Sequence, residues 1–139
     1  MAGQAFANSP VAAVHALAYP IGGIFHISHG LSNSLVLPHV LKFNSTNPKA
    51  CEQYAFLAPF VFKDINQNTN TKNICNDFID RLENLSSLLN LPSKLRELNI
   101  PKEACVKMAK ESMKQTRLLV NNPREVTEEE AFNIYNAAW

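Results

Sequence analysis

Across residues 71–90 the apolar side chains Ile74, Phe78, Ile79, Leu82, Leu85, Leu88 and Leu89 recur at spacings of three and four. That period predicts an amphipathic helix with one buried stripe. A second stripe follows Pro101, with Ala104, Cys105, Met108, Ala109 and Met113 on one side. A third closes the chain. Thr127-x-x-Glu130 is a capping box, and its helix carries Ala131, Ile134, Tyr135 and Ala138. Asn47-Pro48 pairs an N-cap residue with proline at the first helical position and starts a helix to about Phe62. A short helix fits residues 92–98. Residues 44–47 and 64–70 are polar and read as loops.

The first 43 residues carry more punctuation. Ser9-Pro10 reads as a cap-plus-proline start, followed by an alanine-rich helix to Ala18. Pro20 and the pair Gly22-Gly23 are expected to break or bend it. A second start falls at Ser28, with a helix from His29 toward Leu37. Pro38 is expected to begin another short turn to about Phe43. No segment alternates as a strand does, and no internal repeat is visible. The expectation is one all-α domain over residues 1–139, built from about seven helices with short loops.

Charge changes this picture. The 139 residues carry 13 basic and 12 acidic side chains, a net charge of +1. So balanced a chain draws neither nucleic acid nor an anionic membrane. The sign of the charges matters less than their placement. Residues 1–51 contain only two charged residues, Lys42 and Lys49, and no carboxylate. A soluble surface is not normally so bare, so this segment is either core or the wall of a cleft. The apolar run from Pro10 to Leu41 is interrupted by His, Pro, Gly, Ser and Asn too often for a membrane span, and no signal peptide is visible. Cys51, Cys75 and Cys105 are distant and odd in number, with no C-x-x-C, which suits buried thiols in a reduced cytoplasmic protein.

The chemistry concentrates in the same uncharged stretch. All four histidines, His15, His26, His29 and His39, lie in the first 39 residues. Imidazole is a common ligand for first-row metals. His15 sits among Ala13, Val14, Ala16 and Leu17, and His29 follows the Ser28 cap. A helix, a bend and a second helix start would bring both rings to one point. Two ligands do not complete a divalent site, and the first carboxylate in the chain is Glu52. The alternative for a lone helical histidine is a hydrogen-bonded core role; His26 could pair with His29 but reads sooner as a surface residue or one that backs a ligand, and His39 as a structural residue at a helix start. No glycine-rich phosphate loop, G-x-S-x-G or H-E-x-x-H occurs, so the chain has no Rossmann-type device of its own.

The stretch from Ala5 to Asn44 resembles the C-terminal signature of the iron-containing (group III) alcohol dehydrogenases. The matching features are a histidine in a small-residue helix, Pro-x-Gly-Gly, His-Gly, Leu-Pro-His-Val and an Asn. Asn122-Pro123-Arg124, Thr127-Glu128-Glu129 and the closing Tyr135-x-Ala-Ala-Trp139 resemble the family's ending. The resemblance covers essentially the whole chain and is looser between these stretches. It implies the all-helical C-terminal domain of a dehydroquinate synthase-like, two-domain enzyme. The other domain, α/β and nucleotide-binding, would lie upstream, and Met1 would fall in the middle of a family helix. A divalent metal, iron or sometimes zinc, would sit between the domains. Its ligands would be an upstream Asp and His plus His15 and His29. The resemblance also puts Phe6, Tyr19 and Leu118 at substrate-side positions and His26 near the nicotinamide end of the cleft. Tyr19 stands where several members have a histidine, which puts a proton relay through this position in doubt.

The implied function is the metal-binding half of an NAD- or NADP-dependent dehydrogenase that interconverts a small alcohol and its aldehyde or ketone. It would work only when joined to its nucleotide-binding partner. The alternatives are a non-catalytic helical interaction module or an inactive fragment. An uncovered face on residues 1–51 would favour homo-oligomers.

Overall fold

The computed structural model describes residues 2–139, so the expectation for Met1 lies outside the described residues. Eight α-helices and one 3-10 turn follow in order. They are α1 (Ala2–Asn8), α2 (Ala13–Phe25), α3 (His29–Asn44), α4 (Pro48–Val61), α5 (Thr71–Leu88), the 3-10 turn Leu95–Leu98, α6 (Ala104–Ser112), α7 (Thr116–Leu119) and α8 (Glu128–Ala138). Among the described residues there is no strand, and the all-α expectation holds.

The main core joins α2, α3, α6 and α8. Leu17 and Ile21 of α2 meet Leu35, Val36 and Val40 of α3, Met108 of α6 and Tyr135 of α8. A second, smaller core lies within the hairpin of α4 and α5, around Ala58, Ile65, Cys75, Phe78 and Ile79, with Leu41 of α3 against it. Polar groups tie the ends together. The Tyr135 hydroxyl, fully buried, donates to the Leu17 carbonyl at 2.6 Å. Trp139 Nε1 donates to the Ile100 carbonyl at 2.8 Å. The side-chain amides of Asn44 and Asn122 exchange hydrogen bonds at 3.0 and 2.8 Å. The Arg124 guanidinium lies 3.9 Å from the Phe43 ring centroid. The two stretches with the most specific sequence motifs therefore meet in space.

Three expected boundaries are corrected. Ser9-Pro10 does not start α2. It ends α1, because the residue before a proline is steered away from helical geometry. α2 begins three residues later behind Ala12, without a side-chain cap. Nor do Pro20 and Gly22-Gly23 break that helix, which runs through them to Phe25. Pro20 is buried among small neighbours, and a proline's φ is already helical, so the loss is one backbone hydrogen bond. Pro38 is likewise interior to a continuous α3. The caps at Asn47, Asn70 and Thr127 form, the last as a full capping box.

The uncharged segment buries most of its large apolar side chains, although many of its small and polar residues are exposed. Within residues 2–51 the large apolar side chains that stand exposed are Phe6 and Tyr19. The other exposed apolar groups lie elsewhere, chiefly on α4 and at the end of α5.

Candidate metal centre

A sharp corner between α2 and α3 builds the site. α2 ends where His26 takes a left-handed conformation, φ 57°, and its N–H bonds the Gly22 carbonyl. Such a reversal is usually glycine's, and a histidine here is a strained choice. Gly22 supplies the space instead. A Cβ built on it would stand 3.2 Å from the Ile27 carbonyl oxygen, so the returning chain passes against bare backbone. Ser32 Oγ closes the corner by donating to the Ser28 carbonyl at 3.0 Å.

This corner folds the first residue of α3 back onto the second turn of α2. The His15 and His29 rings come to 5.2 Å, centroid to centroid. Tyr19, one turn beyond His15 on the same helix face, has its ring 6.0 Å from that of His29. His15 is half-buried, whereas His29 and Tyr19 are exposed at the rim. Burial, and behind it the charge of His29, hold the His15 imidazole below its ordinary pKa. A neutral ring is what a metal requires. Asn33, one turn after His29, brings its Nδ2 to 3.1 Å from His29 Nε2. A metal held by His29 through that nitrogen would replace this contact. The i+4 spacing of Asn33 from His29 is a signal present in the sequence.

The structure brings the rings of His15, His29 and Tyr19 together. His26 is exposed at the left-handed end of α2, past the helix that carries His15. Phe6 is on α1 and 60% exposed. Leu118 packs on the main core from α7, a helix that rests against α2. Asn121 Nδ2 donates to the Val11 carbonyl at 3.1 Å, tying the end of α7 to the segment that enters α2. Two hollows flank the histidines. One of about 490 Å³ runs from Tyr19 to Lys107, Glu111 and Gln115 of the α6 side. The other, of about 340 Å³, passes from His15 to Leu37, Tyr54 and Asn122.

Two imidazoles at this separation suit a first-row divalent cation as part of a donor set. They do not complete one. Among the described residues no group of three His, Cys, Asp or Glu side chains is placed to hold a metal.

The family model described as "Fe-containing alcohol dehydrogenase family, C-terminal" matches residues 1–139. The chain belongs to that family. Its similarity extends to long-chain-alcohol dehydrogenase 1 of Geobacillus thermodenitrificans, 34% identical over 139 residues, which are all of this chain and 34% of that protein. A 1,3-propanediol dehydrogenase of Citrobacter freundii is 31% identical over 140 positions, covering all of this chain and 35% of the relative. Among solved structures, a 1,3-propanediol oxidoreductase superposes with a TM-score of 0.89 at 31% identity, over 99% of this chain and 35% of that one. An alcohol dehydrogenase from Oenococcus oeni gives 0.87 at 27% identity, over 99% and 35%. The chain thus spans about a third of the length of the curated relatives it matches. Among the described residues, no helix is long and apolar enough to cross a membrane.

Proposed function

We propose that this chain is the helical wall of an alcohol dehydrogenase cleft, and that His15 and His29 are its contribution to the metal site. The observation that carries the reading is the approach of these two rings across the α2–α3 corner, in a chain of this family. The remaining ligands, the nicotinamide dinucleotide and the rest of the cleft belong to the nucleotide-binding part that the family resemblance implies. A bound iron or zinc would supply Lewis acidity, lowering the pKa of an alcohol oxygen. What this chain supplies is positional. The α2–α3 corner fixes both imidazoles on packed helices, and partial burial favours the neutral form of His15. Tyr19 stands at the rim beside His29, where its phenol offers a substrate one hydrogen-bonding group and an aromatic face. The family's reaction class is interconversion of an alcohol with its aldehyde or ketone by hydride transfer to NAD or NADP. The names of the relatives run from a long-chain alcohol to a three-carbon diol.

The test is complementation. The chain is co-expressed with the nucleotide-binding part of a related enzyme, divalent metal is added, and alcohol-dependent nicotinamide reduction is followed. Activity that disappears in both His15→Ala and His29→Ala supports the reading. A co-purifying complex with no activity at any metal loading contradicts it.

A further inference from the structure

α4 is amphipathic in an unexpected sense, because both of its faces are apolar. Cys51, Tyr54, Ala55, Ala58 and Phe62 form its inner face and pack on the hairpin core with α5. On the outer face Phe56 and Phe60 are 69% and 71% exposed, with Leu57 and Val61 beside them at 47% and 55%. The two phenyl rings already stack on one another at 5.5 Å. Four large apolar side chains within two helical turns make a patch that water-exposed helices do not normally keep.

Its position argues against cover by the nucleotide-binding part. That part must approach the His15–His29 side. Tyr54, which lines the hollow beside His15, sits about 160° around α4 from Phe56 and about 120° from Phe60 at about 100° per residue, whereas Leu57 and Val61 lie nearer to it. The Phe56–Phe60 side therefore faces away from that hollow.

The charges bracketing the patch are self-complementary. Glu52 precedes Phe56 by one turn on the same side, and Lys63 follows Phe60 just past the end of the helix. Both are exposed, and the ion pairs among the described residues use neither. In a two-fold antiparallel pairing of α4 with itself, each residue meets the one whose number sums with its own to a constant. Phe56 against Phe60 and Glu52 against Lys63 satisfy nearly the same constant. The geometry points to a second copy of this chain as the occupant, docked through an antiparallel α4–α4 contact. The phenylalanines supply the buried centre, and the Glu52–Lys63 pairs on the rim set the register.

Sedimentation of the 139-residue chain from the low to the high micromolar range tests this. Wild type is expected to be a dimer. Phe56→Asp and Phe60→Asp, both on a face that is exposed in the monomer, are expected to weaken it ~10-fold or more with unchanged helix content. Glu52→Lys and Lys63→Glu are each expected to weaken it, and the double variant to recover. Phe6→Ser, an exposed apolar residue on α1 and outside this face, should not matter. A chain that stays monomeric, a dimer indifferent to Phe60→Asp, or a double charge variant no tighter than either single one overturns the proposal. So does a nucleotide-binding part that binds wild type but not Phe60→Asp, since the face would then belong to that part. Zinc binding by His15 and His29 is a separate readout, and its failure leaves this outcome unaffected.

Discussion

The His15 and His29 rings lie 5.2 Å apart although 14 residues of chain separate them. The corner that closes this distance depends on Gly22, whose missing Cβ leaves room for the Ile27 carbonyl. Two effects of opposite sign meet in Gly22→Ala. A helical alanine gains about 1 kcal/mol in propensity. Its Cβ also pushes on the Ile27 carbonyl and displaces the start of α3. The expected outcome is a small change in melting temperature together with a clear loss of zinc affinity, read by calorimetry on both proteins. Equal affinity would mean that the corner tolerates the methyl group without moving His29.

Tyr135 is the largest fully buried side chain, and its hydroxyl donates to the Leu17 carbonyl, midway in sequence between His15 and Tyr19. Tyr135→Phe leaves that contact unmade in a dry interior. The expected cost is about 1 kcal/mol in urea unfolding, with the helix content intact.

Asn44 and Asn122 pair amide to amide, and Asn44 also donates to the Tyr54 hydroxyl. Either single alanine variant strands the partner's amide. A double-mutant cycle is therefore expected to return a coupling of about 1 kcal/mol. Additive losses would show the pair to be incidental.

His39 should make stability depend on mild acid. Burial pushes its imidazole down from 6.5 to about 4; Lys94 and Lys42 act in the same direction and Glu83 against it. The unfolded chain then binds the proton more readily than the folded one. Stability is full above pH 6.5 and declines as the pH falls toward 4. Glu83, held below its usual range chiefly by its hydrogen bond to Lys42, adds a loss at still lower pH. Urea midpoints across this window should slope in wild type and flatten between pH 6.5 and 5 in His39→Gln.

Much of this molecule was readable in its sequence, and the failures share a cause. The stripes of α6 and α8 and the caps at Asn47 and Thr127 are local signals, and the structure follows them, whereas the α5 stripe is buried only in its first half and leaves Leu85, Leu88 and Leu89 exposed. Proline and glycine misled in α2 and α3. There tertiary packing outweighs local propensity, so Pro20 and Pro38 stay helical inside the core. The true corner is marked by a left-handed histidine, His26, which carries no turn signature. α7 has four residues and no apolar period, so it could not be found. The histidine pair was legible as a cluster in an uncharged segment. Its partner Asn33 carries no motif of its own beyond the i+4 spacing, and the exposed face of α4 lies outside the uncharged segment.

The most direct test of the central claim is a titration of the chain with zinc, followed through the imidazole nitrogen resonances of all four histidines. The account predicts that the His15 and His29 signals move together, and that those of His26 and His39 stay in place. Movement of His26 or His39 instead, or no imidazole response at millimolar zinc, would contradict it.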